Sequence, residues 1–346
     1  MKNRSKVSAV IEAAVVFALV FVTSFYDVFY SFDSLLRDKL YQTPRGINNK
    51  IKIIAIDDEA LREYGPFGTW SRGVYADIIN TLGEYPAAVA MDIMVFGDMD
   101  SQGDKALSEA CRNSGRVVAG SYISYTSAYK TDENGKPYID RFHIEQIEQP
   151  IAAADCITGF VNASPDDDGI VRSAFLTVSA PELYGDESFG SLAAETYYLY
   201  CKNTGTAANT PTLDDNGRMW ISYAGRPGDY EHISMSSLLD GSVDPRIFTD
   251  CIVLVGAYAS GLQDQFSVPN SSDQMFGVEI HANIIQGLLD GKCPVPANRV
   301  LSALAAAAAG ADTSAGHAGM LNAQELIGIL KQKEKALRQV ASSSNA

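Results

Sequence analysis

Basic charge is scarce in this sequence. Its 27 Lys and Arg face 42 Asp and Glu, giving a formal net charge of −15 and a pI near 4.7. A nucleic-acid surface needs a basic stripe to displace the counterions of phosphate, and none is present, so nucleic acid is excluded as a partner. Cysteine is sparse and badly placed for joint work. Cys111, Cys156, Cys201, Cys251 and Cys293 are odd in number, far apart and without a C-x-x-C pair. That excludes a thiolate zinc motif and a disulfide framework, while leaving a single bridge open. Catalytic signatures are missing too: there is no H-E-x-x-H, no G-x-S-x-G and no P-loop. The acidic run Asp166-Asp167-Asp168-Gly169 lacks the spaced ligands and distal Glu of a calcium loop and reads as a turn.

What is present suffices for a full core. The 346 residues are 46% hydrophobic, enough for about two domains or one large α/β domain with appendages. Lys2, Arg4 and Lys6 precede the apolar stretch 7–25, VSAVIEAAVVFALVFVTSF, about long enough to cross a hydrocarbon core as a helix. Basic residues before it and Asp27 and Asp33 after it orient residues 1–6 to the cytoplasm and the remainder outside. A cleaved signal peptide competes, because Glu12 shortens the apolar core, but no A-x-A cleavage site stands out and an uncleaved anchor is favoured. The expected location is therefore the cell membrane, single-pass, with an extracytoplasmic domain.

After the anchor, strands and helices alternate. Residues 26–41 have helical spacing and read as a stalk helix ending near Pro44 and Gly46. Ile51, Ile53, Ile54, Ala55 and Ile56 form a β-branched run suited to a strand buried on both faces, and Asp57 and Asp58 stand at its end. Helix 73–85 leads to a second apolar strand, 87–95, carrying Asp92 near its end. A helix from Asp104 and a strand from Arg116 follow, and residues 125–140 read as a polar surface excursion. Residues 158–178 read as a hairpin around the turn at 165–169, and a helix starts near Phe189. The run CIVLVGA at 251–257 is a further buried strand, followed by a loop ending in Asp264 and a helix over 277–291. The fold class is α/β: a mixed, largely parallel sheet flanked by helices, preceded by one transmembrane helix.

Parallel order brings Asp57, Asp92 and Asp264 to the carboxyl edge of one sheet, where sites assemble in open α/β folds. An Asp in that position also caps the next helix, and capping is the plainer role for Asp57 or Asp58 alone. His281 shares a helix face with Val278 and Ile285, consistent with either a core histidine or a site residue. Three converging acids raise one another's pKa unless something offsets them, and helix N-termini with Arg72 are the expected compensation. Arg72 and Arg172 are expected to act by carboxylate pairing rather than in catalysis.

The ordered set of motifs resembles the CHASE2 sensor domain of bacterial transmembrane receptors. It comprises Tyr26-Asp27, Ala55-Ile56-Asp57-Asp58, Trp70-Ser71-Arg72, Ala90-Met91-Asp92-Ile93, Gly159-Phe160-Val161-Asn162, Asp168-Gly169-Ile170-Val171-Arg172, Val255-Gly256-Ala257, Gly261-Leu262-Gln263-Asp264 and Gly277-Val278-Glu279-Ile280-His281-Ala282-Asn283. The resemblance covers 26–295 and implies a sensory module, usually coupled through further membrane helices to a cyclase or kinase. Its implied cluster for ligand or scaffold is Asp57, Asp58, Trp70, Arg72, Asp92, Asp168, Arg172, Asp264, His281 and Asn283. At 296–346 the sequence departs from that architecture: an Ala-rich linker with too short an apolar run to span, then a short helical tail with Leu326, Leu330 and Leu337 in a stripe. No output domain, catalytic residue, metal site or cofactor is expected. The expected partners are the membrane, an unknown small molecule or protein, and a second copy through the stalk and tail. The competing reading is a metal-dependent extracytoplasmic hydrolase using Asp57, Asp92, Asp264 and His281.

Overall fold

The computed structural model describes residues 13–22, 38, 45–131, 135–269, 271–294, 303, 304 and 307. The chain divides into two compact units, Asp38–Val295 and a second made of Met1–Arg37 with Pro296–Ala346. In the second unit residues 13–22 are helical, and Phe17 and Phe21, one turn apart, stack with ring centroids 6.4 Å apart. Among the described residues no helix is long and apolar enough to cross a membrane. The remainder of the expected anchor at 7–25, nearly all of the stalk and most of the tail lie outside the described residues.

Asp38–Val295 is built on one seven-stranded sheet. Its strands are β1 (Ile51–Ile56), β2 (Ala88–Met94), β3 (Val117–Thr131), β4 (Pro137–Glu148), β5 (Ile157–Phe160), β6 (His232–Ser234) and β7 (Ile252–Ala257). The order is β6-β1-β7-β2-β3, after which β3 pairs parallel with β5 through its first half and antiparallel with β4 through its second. All pairs except β3 with β4 are parallel. The helices that cover the sheet are α1 (Asp58–Tyr64), α2 (Gly73–Leu82), α3 (Ser101–Ser114), α4 (Leu192–Thr204), α5 (Met235–Leu239) and α6 (Gly277–Asp290).

Strand periodicity divides the apolar side chains between two cores. Ile51, Ile53, Ala88, Ala90, Ile252 and Leu254 face α4 and α6, through Leu192, Tyr197, Val278 and Ile285. Ile54, Ile56, Val89, Met91, Val253 and Val255 face α2, α3 and α5, through Ile78, Leu82, Leu107 and Leu238. Each fully buried Ile, Leu or Val contributes about 1.5–3 kcal/mol, so the three central strands carry much of the fold. The helices start where short polar side chains accept exposed amides: Asp57 from Ala60, Asp100 from Gly103 and Ser191 from Ala194.

Two expectations need correction. Residues 125–140 are no surface excursion, because β3 runs on to Thr131 and turns back as β4 in a long hairpin. Tyr125, Tyr129, Ile139 and Phe142 are exposed there, so the Tyr- and Thr-rich segment forms strands without the one-sided burial that marks a strand. The second correction concerns 158–178. The turn at Asp166–Gly169 forms, but Ser173–Phe175 pairs antiparallel with Arg218–Trp220, and the strand before the turn is committed to β3.

α6 comes unusually near the sheet over Gly256 in β7. A Cβ on Gly256 would lie 2.9 Å from Val278 Cβ and 3.2 Å from Asp92 Cβ. Gly256→Ala is expected to destabilise the domain by about 1–3 kcal/mol through overpacking. Urea unfolding of the full chain measures it, and an unchanged midpoint would show that α6 can back away freely.

Candidate functional site

A cavity of about 320 Å³ opens at the carboxyl edge of the parallel strands, between the ends of β2 and β7 and the first two turns of α6. Asp92, Ile93 and Met94 line it from β2, Ala257 from β7, and Gly277, Ile280, His281 and Ile284 from α6. The segment after β5, Val161 to Ser164, and the loop bearing Leu262, Gln263 and Asp264 complete much of the wall. Gln263 adopts φ +57°, a left-handed conformation uncommon for a residue with a side chain, in the turn that presents Asp264. Asp264 then occupies the space a side chain at 277 would take: a Cβ there would fall 2.5 Å from its Oδ2. Its carboxyl group thus lies against the amino-terminal turn of α6, where the helix dipole favours negative charge.

Desolvation dominates the electrostatics. The Asp92 side chain is 8% exposed and its Oδ2 has no hydrogen-bond partner. Burial pushes its pKa up from 3.8 to about 7. Burial, then the charge of Asp92, raises Asp264 to about 6, while His281 opposes the shift. Burial lowers His281 to about 4, with Asp264 acting the other way, so the imidazole is neutral at physiological pH. His281 Nε2 stands 3.8 Å from Asp92 Oδ1, too far for a hydrogen bond, and its Nδ1 has no partner. The cluster is quieted by protonation and the α6 terminus, and Arg72 takes no part in it.

Arg72 is buried instead beneath the loop that follows β2, donating to Asp104 Oδ1 at 2.7 Å and to the carbonyl oxygens of Phe96 and Gly97. Asp57 is also outside the cavity: it caps α1, accepting from Ala60 N at 2.9 Å and from Ser234 Oγ at 3.1 Å. β7 runs between the strands of Asp57 and Asp92, which corrects the expected convergence of three acids to two. Asp58 is exposed in the first turn of α1. Trp70 donates its indole N–H to Gly65 O at 2.8 Å and packs among Tyr64, Phe67 and Tyr75. Asn283 is fully buried and bridges Ala224 N and Glu279 O, each at 2.8 Å, as scaffold.

Arg172 is 1% exposed and spends all five of its N–H donors on carboxylates. It grips Asp38 bidentately at 2.8 and 2.9 Å, Asp168 at 2.9 Å through both oxygens, and Asp166 at 3.0 Å. Its chain neighbours Val171 and Ser173 both line the cavity.

A family model for the CHASE2 domain matches residues 13–311. The chain belongs to the CHASE2 family. CHASE2 domains are extracytoplasmic sensors. No curated protein and no solved structure matches the chain.

Several residues of this CHASE2 domain were not singled out by their sequence. Phe67, Ser164, Ser173 and Phe266 line the cavity from four separate segments, and only the fold assembles them. Glu279, one turn from Asn283, is fully buried; its Oε1 accepts from Gly228 N at 2.8 Å, while Oε2 has no partner. Above it the Tyr258 ring is stacked between His232 and Phe276, with centroids 4.5 Å apart on each side. Glu279 belongs to the 277–283 motif quoted above, but a helix buried on all sides offers periodicity no face by which to mark it. All five cysteines are free. Among the described residues no group of three or more His, Cys, Asp or Glu side chains is arranged to hold a metal ion.

Two substitutions test this account. Asp92 binds its proton more tightly folded than unfolded, so its contribution is whole below pH 4 and is lost as pH rises through about 7. His281 has the opposite sign, its contribution being present above pH 6.5 and lost as pH falls toward 4. Asp92→Asn should therefore gain on the parent by about 1–3 kcal/mol between pH 5 and pH 8 in chemical denaturation; a pH-independent difference would refute the burial. Arg172→Ala leaves three carboxylates without their shared cation and should cost about 3–5 kcal/mol. Urea midpoints decide this one, and a variant as stable as the parent would show that Arg172 serves something other than the scaffold.

Proposed function

We propose that this CHASE2 domain is the ligand-binding input of a single-pass membrane receptor. The cavity carries the proposal. It is a concave, mainly apolar space with a few convergent polar groups, two of them buried and unpartnered, at the sheet edge where α/β folds bind ligands. Residues 7–25 form the anchor in this reading, with 1–6 in the cytoplasm and 26–295 outside, supported by Lys2, Arg4 and Lys6 before the apolar stretch and Asp27 and Asp33 after it. The occupant is a small molecule. The signal passes to a cyclase or kinase module, and a homodimer through the stalk and tail segments is the assembly that relays it.

Arg172 supports a route for that relay. It joins the cavity wall at Val171 and Ser173 to Asp38, the residue at which the sensor unit begins on the anchor side. A ligand that shifts the wall in one of two arrangements would bias the position of Asp38.

A thermal-shift screen of the full chain in lipid nanodiscs against a small-molecule library tests the proposal, with Ala163→Phe as a variant that fills the cavity. Binding to the native state raises the melting temperature. A compound that stabilises the parent by several degrees and leaves Ala163→Phe unmoved is the expected result. Compounds that shift both proteins equally, or a whole library that shifts neither, would defeat the cavity reading.

A further inference from the structure

The chemistry of the cavity wall restricts its occupant further, given the reading of the cavity as the ligand site. Two carboxyl groups, Asp92 and Asp264, reach into it, and none of its lining residues is Lys or Arg. An anionic ligand would therefore bring like charge into a poorly solvated space with no cation to receive it. Asp92 Oδ2 and His281 Nδ1 are buried without a hydrogen-bond partner, and both residues line the cavity. A buried acceptor left without a donor costs about 1–3 kcal/mol, more if charged, which a ligand bearing N–H donors recovers. The Asn162 side chain is tied to the backbone of Ile123, accepting from its N at 2.8 Å and donating to its O at 2.9 Å.

The remaining wall is apolar. Phe67, Leu262, Phe266, Ile280 and Ile284 surround the acids, and two of these present aromatic rings. Such a wall suits a hydrocarbon body and, through the ring faces, a cation. A bare or hydrated metal ion would leave it unmatched.

We propose that the cavity binds a small organic amine, its ammonium head held by Asp92 and Asp264 and its apolar body packed against Phe67, Phe266 and the α6 isoleucines. The ammonium supplies the donors that Asp92 lacks, and one carboxylate ionises against it while the other keeps its proton, so the occupied site is neutral. His281, neutral and adjacent, accepts a remaining N–H.

Isothermal titration of the full chain in nanodiscs tests this with benzylamine and 3-methylbutylamine. Their uncharged counterparts are benzyl alcohol and 3-methylbutanol, and 3-methylbutanoate is the anion. At least tenfold tighter binding of each amine than of its alcohol is expected, with no binding of the anion. Asp92→Asn and Asp264→Asn should each weaken the amines tenfold or more, whereas Asp58→Asn, exposed and outside the cavity, should not. Alcohols binding as tightly as amines, or binding of the anion, would overturn the amine class while leaving a ligand cavity standing. Zinc or manganese binding that Asp92→Asn abolishes, with no response to amines, would overturn it in favour of a metal. Amines failing to bind while a library compound stabilises the parent and not Ala163→Phe would also defeat this inference alone; if no library compound does so either, both readings fall.

Discussion

The descent of α6 onto β7 at Gly256 is the constraint on which the site depends. Without a side chain at 256, Val278 settles against the strand, and that depth carries His281 to within 3.8 Å of Asp92. The same descent brings Gly277 against Asp264, where only hydrogen leaves room for the carboxyl group. Residues 277–288 are all buried, so this helix has no solvent face on which to discard polar groups. Its polar side chains are consequently tied elsewhere: Asn283 to Ala224 N, Glu279 to Gly228 N, and Gln286 to Tyr230 Oη, Asn48 N and Gly46 O. Those bonds fix the helix in rotation as well as in depth. Asp92 Oδ2 and His281 Nδ1, on residues that line the cavity, have no such partner.

Much of the fold could be read residue by residue. The β-branched runs at 51–56 and 251–257 became central strands, Asp57 became the cap of α1, and Arg172 found its acids. Strand order was not legible, because β7 comes last in sequence among the strands of this sheet yet lies between β1 and β2. No local pattern announces such an insertion. It sets Asp57 two strand spacings from Asp92, roughly 10 Å, which is why only one of the two strand-end acids joins the cavity. Long-range pairing likewise decided the fate of Ser173–Phe175, since any of several strands could offer the same hydrogen bonds. The β3–β4 hairpin escaped notice because polar and aromatic residues appear on both of its faces, leaving no alternation to detect.

The acids of this chain divide into two populations with different physics. Asp38, Asp166 and Asp168 share one guanidinium, the arrangement expected of a scaffold. Asp92, with its side chain buried, and the half-buried Asp264 have no cation beside them and hold their protons above the ordinary carboxylate range. Local breaches of the rule that buried charge is paired concentrate where a protein acts, and the CHASE2 match places that breach in a sensor module. What separates the two sets is the guanidinium of Arg172, which one has and the other lacks.

Insertion of the last strand between the first two also governs how the domain can be made. β1 and β2 never pair with each other, so until residues 252–257 have been synthesised both display an open parallel edge. Such edges are sticky, and contacts this distant in sequence form slowly. A nascent chain emerging amino terminus first must carry the two edges uncapped through most of its synthesis. Completion of the cavity then coincides with completion of the sheet, since the strand that closes one also delivers Asp264 and α6 to the other. A half-made domain therefore lacks the cavity altogether.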